Sequence, residues 1–314
     1  MHESITGAIM VLLSGVCWGT YGTIASFLPK TISSLTVGAL RLGIGALGIA
    51  CVLALTHRGR VFTRGIRFSK RNLLVGAVAL AVAQATLYLG IRTAGVTIAT
   101  MIFIGTPPLF SGVYAQLVKR ERQSVSWLVS SIIIAAGCAL MALSEQTIEG
   151  VGSRLLLGSL FALTAGAGWT IVGTMLRNMQ SVASPLESAC AVMGASSLFM
   201  LPFALVGDLS WAREPNSLIL VLALGLLSSA IPYWLFTTGA RKIPASHAFL
   251  YGLTEPITAS FLGILILQER LRGIGALGYS AVVAGLLLFS TWEMRKATNR
   301  RTATTGSSQD SSAS

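Results

Sequence analysis

Residues 7–18 read GAIMVLLSGVCW, and residues 158–169 read GSLFALTAGAGW. Gly7, Gly15 and Trp18 of the first stretch recur as Gly158, Gly166 and Trp169 of the second, all at an offset of 151 residues. Working outward, Gly90 and Arg92 recur as Gly239 and Arg241. The tripeptide TPP at Thr106–Pro108 recurs as TEP at Thr254–Pro256. Glu121–Arg122 matches Glu269–Arg270, and Ala136–Gly137 matches Ala284–Gly285, by which point the offset has drifted only to 148. The chain is therefore read as two related halves, 1–150 and 151–294, followed by a polar tail over 295–314 that is expected to be disordered.

Both quoted stretches lie inside long apolar runs. Ten such runs can be laid out, at 5–26, 35–55, 73–91, 95–118, 126–143, 155–176, 186–206, 217–239, 245–267 and 273–292. Hydrophobic residues make up 53% of the 314, charged residues only 11%, and the mean hydropathy is +0.73. A soluble domain of this size needs more charge to cover its surface. In lipid the backbone must satisfy its own hydrogen bonds, which leaves helices or closed barrels. Runs of about 20 residues fit helices, where a barrel strand takes about 10. The fold class is an all-α integral membrane protein of ten transmembrane helices. Each half carries five spans, an odd number, so the second half must sit inverted relative to the first. Inverted repeats recur in secondary transporters, because two similar halves can exchange conformations and open one site to either side.

A net charge of +12 in a soluble protein suggests nucleic acid. Here Lys and Arg punctuate the connections between spans, so a nucleic-acid partner is rejected. With the N-terminus placed inside, sixteen basic residues fall on the inner side, including Arg58, Arg60, Arg64, Arg67, Lys70 and Arg71 of one connection. Six fall outside: Lys30, Arg92, Arg154, Arg213, Arg270 and Arg272. The bias places both termini in the cytoplasm. MHES is too short to be a cleaved leader, and the first run is read as a retained helix. Cys17, Cys51, Cys138 and Cys190 sit in apolar runs without metal-ligand spacing and read as packing residues.

Taken together, the ten spans, the five-plus-five symmetry, GxxW in the first helix of each half and Pro in the fourth resemble the EamA-type branch of the drug/metabolite transporter superfamily. The resemblance covers the chain from Ile5 to about Trp292. It implies export or import of amino acids and other metabolites, a bacterial inner membrane, and a central cavity lined by the first, third and fourth helices of each half. One departure stands out: Pro107 occupies the position matched in the second half by Glu255, so the halves are not chemically equivalent.

Several residues are expected at that cavity. His247, Tyr251 and Glu255 are spaced i, i+4, i+8 and so share one helical face. An exposed carboxylate near mid-membrane is costly, so that face turns inward. Glu255 is read as a contact for a substrate amine or a proton carrier, against a structural carboxylate inside the bundle; His247 reads as interfacial. Trp18 and Trp169 lie deep in their spans, away from the headgroup level where Trp usually anchors, as packing residues or an aromatic substrate wall. Gln84 and Tyr88 share a face of the third helix, and Tyr233 occupies the matching region of the eighth. Substrate contact is thus expected from Trp18, Gln84, Tyr88, Trp169, Tyr233, Tyr251 and Glu255. Pro107, Pro108 and Pro256 interrupt the hydrogen-bond ladder, as static kinks or as hinges for alternating access. Arg41 is the only arginine well inside a span, where it either snorkels outward or pairs with an acid or a substrate carboxylate.

Function follows by elimination and by resemblance. No GxxxxGK[ST] occurs, which argues against ATP hydrolysis. Of the three histidines, His2 and His57 lie outside the bundle, so no catalytic residue, metal site or cofactor is expected and a membrane-embedded enzyme is disfavoured. A channel would need a ring of repeated polar residues. The expectation is a secondary transporter of small metabolites, foremost amino acids for export. The alternatives are a multidrug, sugar, nucleobase or organic-cation carrier. Proton coupling and facilitated diffusion both stay open.

Overall fold

A computed structural model describes residues 2–29, 31–56, 69–94, 96–117, 120, 123–144, 153–205, 210–266, 268 and 273–310. Every regular element among them is helical: α1 (His2–Ser26), α2 (Ser34–Thr56), α3 (Lys70–Ala94), α4 (Val96–Leu117), α5 (Val125–Ser144), α6 (Ser153–Met179), α7 (Pro185–Leu205), α8 (Pro215–Gly225), α9 (Ile231–Ala240), α10 (Ala245–Tyr251), α11 (Thr254–Ile266) and α12 (Ile274–Asp310), with a 3-10 turn at Ser210–Arg213. The basic segment 57–68 and the repeated pair Glu121–Arg122 and Glu269–Arg270 lie outside the described residues.

Among the described residues, six stretches are long and apolar enough to cross a membrane: Glu3–Ser26, Leu35–Leu55, Lys70–Ala94, Leu156–Met179, Pro215–Ala240 and His247–Ile266. Val125–Leu140 and Ile274–Phe289 are shorter apolar helices. Leu47, Leu55, Leu117, Leu198 and Leu265 point outward, while Ser14, Ser188, Ser196 and Ser228 are fully buried. That distribution suits a chain whose solvent is hydrocarbon: apolar side chains gain nothing by hiding from lipid, and small residues let helices approach. The protein is an integral membrane protein.

Proline explains two irregularities. Pro232 has no N–H for the Ser228 carbonyl, and just before it the helix joining α8 to α9 widens into a π turn at Leu226–Ala230. Pro256 likewise offers nothing to the Gly252 carbonyl, which accepts instead from the Glu255 N–H at 3.0 Å. The ninth apolar run is thereby split into α10 and α11 at Gly252–Leu253. By contrast α4 stays one helix across Pro107 and Pro108. At the chain's end, α12 continues helically through Arg295 to Asp310, where the composition leads one to expect disorder. Extending an existing helix requires no new nucleus, which is the costly step.

The helix contacts survive exchange of the two halves. α1 packs on α9 and α11, and α6 packs on α3 and α4. α2 packs on α7, and α5 on α12. The glycines of the repeated sequence mark the same correspondence. Gly7 faces Gly239 and Gly158 faces Gly90, while Gly15 abuts Thr254 and Gly166 abuts Thr106. At Gly15 and Gly166 any larger residue would drive into the partner helix, which is why glycine recurs there.

Candidate functional site

The site is assembled around two tryptophans, one from α1 and one from α6. Trp18 of α1 and Trp169 of α6, matched residues of the repeat, meet edge to face with ring centroids 5.4 Å apart. Tyr233 of α9 lies edge-on to both rings, at 5.8 Å from Trp18 and 5.5 Å from Trp169. Phe236, one turn further along α9, is 5.4 Å from Trp18 and 5.7 Å from Phe249 of α10. Edge-to-face pairs of this kind favour a fixed arrangement over a fluid one, each adding about 0.5–1.5 kcal/mol beyond contact area.

Trp18, Trp169, Phe236 and Phe249 border a cavity of about 30 Å³. Its wall includes Trp18 and Trp169, Phe103 and Pro107 from α4, Phe236, and Phe249 with Glu255 from either side of the α10–α11 break. The space takes roughly two waters. An organic solute therefore requires the walls to part. Pro107 and Glu255, which occupy matched positions of the two halves, both face this one space. No hydrogen bond or ion pair holds the Glu255 carboxylate among the described residues. It sits in the first turn of α11, where the helix dipole favours an anion. The Thr254 hydroxyl pins this turn to α1 by donating to the Leu12 carbonyl at 2.8 Å.

The structure sorts the expected residues into two groups. Trp18, Trp169 and Glu255 come together at the cavity, with Pro107 beside them, while Tyr233 packs on both tryptophans without lining it. Gln84 and Tyr88 do not line it. Arg92 donates to the Tyr88 hydroxyl at 3.3 Å, which ties that side chain to the end of α3. The single face expected for His247, Tyr251 and Glu255 does not hold. Tyr251 packs on Phe289 of α12 at 5.2 Å, as does His247 at 5.0 Å, and neither lines the cavity. The reason is the turn at Gly252–Leu253, which interrupts the helical register between Tyr251 and Glu255. Glu187, near the start of α7, is a capping residue: its carboxylate accepts from the Ser184 N–H at 2.6 Å, in a capping box.

Phe236 and Phe249 belong to the wall but were not expected there. Phe236 had a readable signal, because it follows Tyr233 by three residues on the same helical face. Phe249 had none; it reaches the cavity only because α10 ends where it does. Arg41 proves to be half-buried. Its guanidinium carbon lies 4.7 Å from the centre of the Tyr21 ring, and its Nε is buried without a hydrogen-bond partner.

Comparison with known proteins gives a consistent answer. The sequence profile of the EamA-like transporter family matches twice, over residues 5–143 and 156–291. The uncharacterized transporter YwfM of Bacillus subtilis (strain 168) is 29% identical over 284 residues, covering 90% of this chain and 93% of that protein. The threonine/homoserine exporter RhtA of Escherichia coli (strain K12) is 26% identical over 292 residues, 92% of this chain and 91% of that one. One solved crystal structure superposes with a TM-score of 0.76 at 15% identity, covering 92% of this chain and 98% of that chain, a likeness of fold.

Proposed function

This chain belongs to the EamA-like transporter family, within the drug/metabolite transporter superfamily, and from that premise we propose that it is a secondary exporter of amino acids working by alternating access through the aromatic cavity. The observation that carries the reading is the Glu255 carboxylate, unpaired among the described residues, set in a wall of Trp18, Trp169, Phe236 and Phe249. A cavity of that kind holds an apolar or small side chain against rings while the carboxylate meets an ammonium group or carries a proton. The resemblance to a threonine/homoserine exporter supports amino acids as the cargo class.

The same reading takes the architecture as two inverted five-helix repeats, 1–150 and 151–294, with ten spans, in a bacterial inner membrane and with both termini cytoplasmic. Support comes from the twofold match of the family profile and from helix contacts that survive exchange of the halves. In such a frame, rocking of one half against the other opens the cavity first to one side and then to the other. The break at Gly252–Leu253 and the prolines at 107, 108 and 256 are the candidate bending points. Gln84 and Tyr88 join the pathway only when it widens, since the cavity does not include them; Tyr251 acts by bracing α10 against α12.

Purified protein in liposomes, offered a labelled amino-acid panel with and without a pH gradient, tests this directly. Saturable flux of at least one amino acid, abolished by Glu255→Gln, is expected. Absence of amino-acid flux from a folded preparation overturns the cargo assignment. A carboxylate among aromatic rings also fits an organic cation, so tetramethylammonium belongs in the same panel.

A further inference from the structure

Gly22 and Gly173 are matched places of the repeat, each four residues beyond its tryptophan. The structure covers one and leaves the other bare. A Cβ at residue 173 would stand 2.6 Å from Cζ of Phe249 and 3.4 Å from both Cε atoms, so the tip of that ring rests head-on upon the α6 backbone. The same ring lines the cavity. A Cβ at residue 22 would meet nothing within 4 Å, and Gly22 is exposed. Yet Gly22 follows Gly15 by seven residues and Trp18 by four, so all three share one face of α1. That face packs on the α10–α11 turn at Gly15, lines the cavity at Trp18 and stands open at Gly22. The repeat identifies the missing cover. Phe249 precedes Thr254 by five residues and Met101 precedes Thr106 by five, so Met101 is the counterpart of Phe249. Met101 packs on the core and does not line the cavity.

The matched threonines beside these residues show the same imbalance. Thr254 turns its hydroxyl across to α1 and donates to the Leu12 carbonyl at 2.8 Å. Thr106 donates back to Ile102 of its own helix and presents its Cβ and Cγ2 to Gly166 of α6. Equivalent places in the two halves thus hold different arrangements, as one state of an exchanging pair would.

We infer that Phe249 and Met101 are the two gates of the transport path, Phe249 closing it by seating on Gly173 and Met101 by seating on Gly22, each in turn. The structure holds the Phe249 gate shut and the Gly22 seat empty. This rests on the reading of the chain as two inverted halves that work by alternating access. Glycine at each seat lets a side chain reach the opposite helix backbone, and so leaves no gap beside it. The gates differ in stiffness: one is a ring, the other an unbranched thioether with three rotatable bonds. A single methyl added at Gly22 therefore leaves Met101 room to move aside, whereas an added ring fills the seat.

The test reads conformation first and flux second. Gly22→Cys, in the full-length protein in nanodiscs, is reacted with a membrane-impermeant maleimide, and the labelled site is resolved by mass spectrometry. Residue 22 should label. Adding Gly173→Ala drives the Phe249 ring off its seat and favours the state in which Met101 covers residue 22, so labelling there should slow by at least about threefold. Phe249→Ala removes the same gate and should slow it likewise if the Gly173 variant does not fold. Absence of labelling in Gly22→Cys alone places that residue against lipid and overturns the inference; so does an unchanged rate in the folded double variant. Gly22→Phe should unfold as the wild type does, because its ring enters open space, while uptake of labelled L-leucine or L-threonine into liposomes falls by at least about tenfold. Normal flux through folded Gly22→Phe overturns the gates and leaves amino-acid transport intact. Labelling that responds as expected in a protein that moves neither amino acid supports the gates and removes the cargo assignment alone.

Discussion

Replacing Gly15 by alanine tests the closest approach in the site. A Cβ at residue 15 would stand 2.8 Å from the Gly252 carbonyl oxygen and 3.0 Å from the Glu255 nitrogen, and it would overlap the Thr254 hydroxyl. Ordinary contact begins at 3.4 Å, so α1 and the α10–α11 turn must separate by about 0.6 Å. These neighbours are mostly backbone and cannot rotate aside. Overpacking of this kind costs about 1–3 kcal/mol. Loss of the bond from Thr254 to Leu12 adds about 1 kcal/mol, and replacing glycine within a helix returns about 0.5–1 kcal/mol. The net expectation is a loss of about 2 kcal/mol. Gly22, on the same helix, has nothing within 4 Å of its added Cβ, so Gly22→Ala should be neutral or slightly stabilising. Unfolding in mixed micelles, followed by tryptophan fluorescence, should therefore separate the two variants by about 2–3 kcal/mol. Transport should fall with Gly15→Ala alone, because the displaced turn carries Glu255. Equal stability and equal flux for the two variants would show that α1 does not clamp the turn, and the account of how Glu255 is positioned would fail.

Three further substitutions separate cavity from scaffold. Glu255→Gln should keep the fold and lose most flux in liposomes; normal flux with normal pH dependence removes any role in amine or proton handling. Trp169→Ala deletes the edge-to-face contacts with Trp18 and Tyr233 and enlarges the cavity, so the order of preferred substrates should shift toward bulkier side chains in a flux panel. Tyr251→Ala should lower stability by about 2 kcal/mol by removing the packing on Phe289, with the substrate order unchanged; a changed order would put that ring back at the cavity.

The repeated glycines were read in the sequence as marking two related halves, and the structure shows that they also mark the helix contacts. A glycine recurring at a fixed offset has to meet something close, and Gly7, Gly15, Gly158 and Gly166 all do. Trp18 and Trp169 were legible for a related reason, since a deep tryptophan in a span needs a special neighbour and each supplies the other. Tyr251 was misplaced because periodicity assumes an unbroken helix, and Pro256 breaks this one four residues upstream of itself. The proline was visible, but its consequence was not. Pro107 and Pro108 occupy the equivalent place in α4 without splitting it, so the tertiary setting decides which proline interrupts a helix. Gln84 and Tyr88 illustrate a second limit. Helical spacing shows that two residues share a face, but not how far along the bundle that face meets the cavity.

The two halves match in their packing and differ in their chemistry, and that combination has a mechanical meaning. If the halves are inverted copies, exchanging their conformations converts one opening into the other at little net change in packing energy, because an interface that opens in one half re-forms as its equivalent in the other. Glu255 and the split at Gly252–Leu253 have no such equivalents, for Pro107 and the unbroken α4 stand at the matched places of the acid and the split. The carboxylate therefore does not exchange with the scaffold. If the halves rock as proposed, a solute that meets the Glu255 carboxylate would have different affinities for the two openings. In the proposed mechanism the scaffold would supply a balanced equilibrium, and the unmatched carboxylate would give the solute a preference within it, which is the differential affinity that any ligand-driven conformational change requires.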